Sequence, residues 1–200
     1  MSTVISILNY KKQVEQPILI LAGLHQSDLP VSSEMKEILA NCATALAAAR
    51  SAHIQVAFVR RMLPAPSISE PPPYPAWIKG FEPTRDDMVF DVLQPSCYSN
   101  MEFARTIDYS NGNFAIAGLF AESTCLSTAV EAHHRHHNFV YLFDASGSQN
   151  HGMVPLLQFH AAVTQMISGY GPVMKAAEWS LAVSSNRIRK VTKQKDFADS

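Results

Sequence analysis

The stretch Ala115-Ile116-Ala117-Gly118-Leu119-Phe120-Ala121-Glu122-Ser123-Thr124-Cys125-Leu126-Ser127-Thr128-Ala129-Val130-Glu131-Ala132 decides the fold. It opens on a short continuous apolar run, the pattern of a strand buried on both faces. A tight turn follows, and then the first turns of a helix. The same grammar extends on either side. Pro17 to Ala22 is an apolar run bounded by Gly23 and reads as a central strand. Ser32 or Ser33 caps a helix to about Arg50, with Glu34 and Glu37 in its first turns and an Ala-rich segment after Cys42. His53 to Val59 is the next strand. A crossover this long argues for parallel pairing in a right-handed βαβ unit.

Asp87 to Leu93 reads as a third strand, followed by a short helix from about Asn100 to Ile107 and a turn at Asn111-Gly112. Asn113 to Gly118 is the fourth strand and Ser123 to about His136 its helix. Phe139 to Phe143 is the fifth strand, ending at Asp144. His151 to Ile167 is helical in part, Pro172 to Met174 is a short edge strand, and a helix runs on through Trp179. The sequence therefore implies an α/β fold: a single doubly wound, mostly parallel sheet with helices on both faces, in three layers. One domain is expected over residues 1–186, with a polar tail over 187–200. Such sheets bind ligands outside the carboxyl ends of their strands, which directs attention to the positions after Leu21, Phe90 and Gly118.

Pro64 to Pro83 breaks the alternation with Pro64, Pro66, Pro71, Pro72, Pro73, Pro75 and Pro83 beside Tyr74 and Trp77. Residues without a backbone donor cannot form an interior strand or helix. The segment is a covering loop, a lid or an oligomer contact; composition alone also admits a site for proline-binding domains.

Two hundred residues, 47% apolar and 16% charged, suit one globular domain. A net charge of −1 gives no case for nucleic acid or an anionic membrane, and no apolar run is long enough to span a bilayer. In Met1 to Lys12 the lysines follow the apolar stretch, the wrong order for a secretory signal. Cys42, Cys97 and Cys125 are odd in number and widely spaced, which argues against a disulfide framework or zinc site. Free thiols fit a reducing cytosol, so a cytoplasmic protein is expected. No cofactor and no metal are expected.

The opening stretch resembles the nucleophile turn of the isochorismatase-like hydrolases, the cysteine hydrolase superfamily. That pattern is a short apolar strand, Gly, an apolar residue, a few variable residues, Cys, two or three residues, then Thr-Ala and an acidic-Ala pair. Gly118 and Thr128-Ala129 anchor it here. Ile18-Leu19-Ile20-Leu21, Phe81-Glu82-Pro83, Ser96-Cys97-Tyr98 and Phe139 to Ala145 extend the resemblance over Pro17 to Trp179. It implies an Asp ending the first strand as general base, a Lys ending the third, and a Cys at the helix start that attacks a carbonyl. A base, a cation and a helix N-terminus together favour the thiolate, and backbone N–H groups of the turn hold the oxyanion.

At the corresponding positions this chain has Ala22, Val92 (Asp91 if the register slips by one) and Thr124. An alanine and a valine move no protons, and an unassisted threonine is a poor nucleophile. The resemblance therefore implies a kept scaffold without its reactive groups: a catalytically degenerate protein that binds a small molecule or assembles, as a homo-oligomer or as partner of an active paralogue. The alternative is an active hydrolase of the isochorismatase/amidase type with a rebuilt site. Isochorismatases proper also lack the cysteine nucleophile, and their Gly-apolar-Tyr-Ala-His-apolar-Gly-Cys is similar to Gly118 to Cys125. They still need the acid that Ala22 replaces. The resemblance further implies a cis peptide near Phe120–Ala121, and a ligand site lined by Ala22, His25, Val92, Tyr98, Phe120, Glu122 and Thr124.

Several side chains are candidate replacements. Cys125 lies about 100° around the helix from Thr124, and either packs against the sheet or acts as a displaced nucleophile. His25 is an acid or base titrating near neutrality, or a loop histidine bonded to a carbonyl or water. Asp28 lies near it in sequence. Glu122 suits the helix dipole whether or not it has another role. Strand alternation turns Asp91 and Val92 to opposite faces. His133, His134, His136 and His137 close the helix, where cations suit the dipole. His133 and His137 have zincin spacing without the intervening Glu, so the cluster is a set of surface histidines or a metal site. Arg60 and Arg61 either meet a carboxylate ligand or are a solvated strand end.

Overall fold

Ile18–Ala22 forms β1, and all five of its side chains are buried. Only a strand covered on both faces buries consecutive residues in this way. The computed structural model describes residues 17–25, 33–62, 74–149, 152 and 154–185. Asp28, Ser32, Pro64 to Pro73, His151 and the tail over 187–200 lie outside the described residues.

After β1 come α1 (Ser33–Ser51), β2 (Val56–Arg61), β3 (Met88–Val92), α2 (Met101–Tyr109), β4 (Asn113–Leu119), α3 (Leu126–His134), β5 (Asn138–Gly147), α4 (Leu156–Ser168), β6 (Val173–Met174) and α5 (Ala176–Ser184). The six strands pair in parallel in the order β3-β2-β1-β4-β5-β6. The order reverses between β1 and β4, which makes that junction the switch point.

Strand parity divides the core into two layers. Ile18, Ile20, Ala22, Val59, Phe90, Val92 and Ile116 face Phe103 and Ile107 of α2, Ala129 and Ala132 of α3, and Val163 and Ile167 of α4. Leu19, Leu21, Phe58, Ala117 and Leu119 face Cys42, Ala45 and Ala49 of α1 and Trp179 of α5. The fold is thus the doubly wound α/β sandwich that the alternation of elements implies. Among the described residues no helix is long and apolar enough to cross a membrane.

Four local expectations are corrected. β2 begins at Val56 and ends on Arg61, because His53 closes α1 in a left-handed conformation (φ 55°) instead of opening the strand. β5 runs four residues past Phe143, to Gly147. Its pairing jumps from Ile116↔Tyr141 to Gly118↔Ser146, and the Ser146 hydroxyl donates to the Leu142 carbonyl at 2.8 Å across the bulge. The helix expected from Ser123 to His136 is a π-helical turn, Ala121–Cys125, running into α3 and ending at His134. No cis peptide occurs among the described residues; the chain leaves β4 through Phe120 in the left-handed region instead (φ 64°).

Candidate functional site

The carboxyl edge at the β1–β4 switch point is set by glycine. Ala22, the last residue of β1, pairs with Gly118 of β4. A Cβ on Gly118 would lie 1.9 Å from the Ala22 carbonyl oxygen, and the residue has φ +129°. Only glycine tolerates both the conformation and the contact. Gly23 (φ +70°) continues the close approach, with the Leu119 carbonyl oxygen 3.0 Å from where its Cβ would stand.

β1 ends on Ala22 and β3 ends on Val92, while Thr124 lies in the π-turn after β4. Ala22 and Val92 belong to one apolar cluster with Val59, Phe90, Cys97, Tyr98, Ala121 and Cys125. Thr124 is 3% exposed. Its amide donates to the Phe120 carbonyl at 2.8 Å, as does that of Ser123 at 3.0 Å. Both N–H groups are therefore engaged within the turn.

Cys125 is fully buried, and burial first, then neighbouring Cys97 and Glu122, hold its thiol well above the ordinary range. A thiol in that environment stays protonated and unreactive. Cys97 and Cys42 are likewise pushed up to about 12 by burial. Cys42 donates to the Ala145 carbonyl at 3.0 Å. Glu122 is half-buried and accepts the Gln149 amide at 3.4 Å.

The other candidates form a second group on the opposite face. Asp91 pairs with Arg60, whose Nε and Nη2 donate to the two carboxylate oxygens at 2.8 and 3.1 Å. The Arg60 guanidinium stacks over Tyr74 at 4.7 Å and Trp77 at 5.2 Å. His25 forms an isolated antiparallel bridge with Trp77, and the Ile78 amide donates to the Leu24 carbonyl at 3.1 Å. The Trp77 segment thus folds over the end of β1. His25 is 4% exposed, and among the described residues neither ring nitrogen has a hydrogen-bond partner. Desolvation first, then Arg60, depress its proton affinity, so the imidazole is neutral at pH 7. Phe120 is half-buried and packs, like Trp77, against the cluster of this second layer.

Tyr98 belongs to the first cluster, but its hydroxyl is turned to the amino edge, where it bonds His137 Nδ1 at 2.7 Å. His137 Nε2 lies 3.2 Å from Asp108. The neutral ring satisfies both contacts with its proton on Nε2. Arg135 lies 4.8 Å above the Tyr98 ring. This network accounts for one of the four clustered histidines; the other three are exposed. Among the described residues no group of three or more His, Cys, Asp or Glu side chains is placed to hold a metal.

Sequence reasoning missed two arrangements. The Tyr98–His137–Asp108 chain joins residues far apart in sequence and leaves no local pattern. The closure of Trp77 over His25 had one signal, the aromatic pair Tyr74 and Trp77 within a proline-rich loop. Asp144, expected to end the fifth strand but lying within β5, also gains a role: its side chain accepts the Ala176 amide at 2.7 Å and so anchors the start of α5.

Solved structures share this architecture. A cysteine hydrolase from Pseudomonas syringae pv. phaseolicola 1448A superposes with a TM-score of 0.74 at 16% identity, over 86% of this chain and 93% of that one. An isochorismatase from Pseudomonas putida KT2440 gives 0.71 at 19% identity, over 82% and 90%. A MAR1 ribonuclease from Caenorhabditis elegans gives 0.67 at 15% identity, over 84% and 81%. At these identities the likeness is one of fold. No curated protein matches the chain in sequence. The isochorismatase domain family matches residues 20–178. With that span and this sheet order, the chain belongs to the isochorismatase family.

Proposed function

We propose that this is a catalytically degenerate isochorismatase-family protein that binds a small molecule at the carboxyl edge of its sheet without hydrolysing it. One observation carries the reading: Ala22 and Val92, at the ends of β1 and β3, are packed in a single apolar cluster, with the buried Thr124 in the turn after β4. None of the three positions carries an acid, a base or a cation. General-base assistance alone is worth about 10²–10⁴ in rate, and Cys125 is too deeply buried to substitute as nucleophile.

A second reading, an active hydrolase with a rebuilt site, draws on the buried and unbonded His25. A panel of amides, nitriles and isochorismate decides between the two. The expected result is no turnover above the uncatalysed rate. Product release that disappears in His25→Ala would establish the rebuilt enzyme. We also propose a homo-oligomer, on the strength of Leu157 and Met166 exposed along the uncharged helix α4; a monomeric mass in sedimentation would end that part.

A further inference from the structure

The end of β1 holds a side chain that the proposed function does not explain. His25 is buried, and both of its nitrogens lack partners among the described residues. Buried polar atoms are nearly always bonded, and each exception points to water, a ligand or a functional role. Among the described residues, the segment bridged to His25 is held in place. The Trp77 backbone is bridged to it. The Trp77 ring packs edge-on against Phe58 at 5.5 Å and beneath the Arg60 guanidinium. Arg60 is held by Asp91 through Nε and Nη2, which leaves Nη1 without a hydrogen bond among the described residues. A rigid donor and an unbonded imidazole are thus joined through one tryptophan, at the edge of the sheet where this architecture binds ligands.

Resting on the reading of a non-hydrolytic binder, we propose that His25 and Arg60 form the carboxylate-binding end of its small-molecule site, with the Trp77 segment as its cover. The imidazole N–H and Arg60 Nη1 donate to the two carboxylate oxygens. Charge selects the class of ligand. Asp91 already balances the guanidinium and His25 is neutral, so the site presents little net positive charge. A monoanionic carboxylic acid suits it, and a phosphate dianion would be left under-compensated when desolvated. A bound carboxylate would in turn favour the protonated imidazole.

Benzoate, its neutral isostere benzamide and inorganic phosphate test this on the whole chain. Imidazole NMR resonances of His25 are followed at pH 7.5 during titration with each probe. Benzoate should give a saturable shift of His25 and take up protons on binding, with benzamide and phosphate at least about tenfold weaker. Arg60→Met should weaken benzoate about tenfold or more and benzamide by less, so that the preference for benzoate falls. Arg60→Lys, which keeps the charge opposite Asp91, should stay folded and still lose the preference for benzoate. Equal binding of benzoate and benzamide, preference for phosphate, or a silent His25 in folded protein would each overturn the site. The turnover panel is read separately. Hydrolysis there removes the non-hydrolytic reading and leaves the titration to judge the site. A silent His25 with no turnover removes the site and leaves the reading.

Discussion

At the scale of single residues, Gly118 matters most. Its neighbours along β4 are apolar and interchangeable in kind, but a side chain here would strike the backbone of β1, not the tip of a flexible side chain. Neither strand can shift, because each is paired on both sides. Gly118→Ala should therefore destabilise the fold by about 3 kcal/mol or more, combining an unfavourable φ with a backbone collision. Urea unfolding checks this, and a midpoint within error of the parent would show that β1 and β4 can separate. The motif made this glycine legible as an anchor, although its contact with Ala22 was not, since sequence spacing does not reveal a cross-strand distance. The positions that the resemblance sets against the family's triad were read from the same motif. What surrounds them was not, because the apolar cluster draws on β1, β2, β3 and the π-turn at once.

At the scale of elements, continuous apolar runs located the inner strands, since burial on both faces leaves an unambiguous signature. Errors gathered where tertiary contacts override local preference. His53 entered a turn, β5 carried a bulge, and a π-turn replaced the first helical turn after β4. The histidines at the end of α3 illustrate the same limit. Their spacing raised a metal site, yet His137 instead connects Tyr98 on the loop after β3 to Asp108 on α2. That connection has a consequence for pH. Burial lowers the proton affinity of His137, opposed by Asp108 and reinforced by Arg135; burial and Arg60 do the same for His25. A lowered folded-state value means that the unfolded chain binds more protons in the window below the ordinary imidazole value. Their contribution to stability is therefore complete above about pH 6.5 and is lost as the pH falls below it. Urea midpoints should drop between pH 7.5 and pH 5, and the drop should shrink in His137→Gln and again in His137→Gln with His25→Asn. An undiminished drop in both variants would assign the acid sensitivity to carboxylates alone.

At the scale of the whole molecule, family membership fixes the fold and leaves the chemistry to the site. The six-stranded order, the switch point and the helix layers are those of an isochorismatase-family fold, yet a fold does not carry an activity unless its site does. Under the proposed degenerate reading, two histories would leave the same sequence at positions 22, 92 and 124: loss of three side chains from an open crevice, or closure of the crevice around their replacements. The packing favours closure, because Ala22 and Val92 are buried in the same apolar cluster as Val59, Phe90 and Tyr98. Restoring the groups distinguishes the two. In an open crevice Ala22→Asp, Val92→Lys and Thr124→Cys together would find water and substrate and recover amide hydrolysis. In a closed one they place an acid and an ammonium into a dry core, where even a paired charge bears a large desolvation cost. The triple variant should therefore be inactive and less stable by about 3–5 kcal/mol. Thr124→Cys alone, close in size and buried, should cost under about 1.5 kcal/mol. Amide turnover by a triple variant of parental stability would show that the crevice stayed open and that only three side chains separate this chain from a working hydrolase.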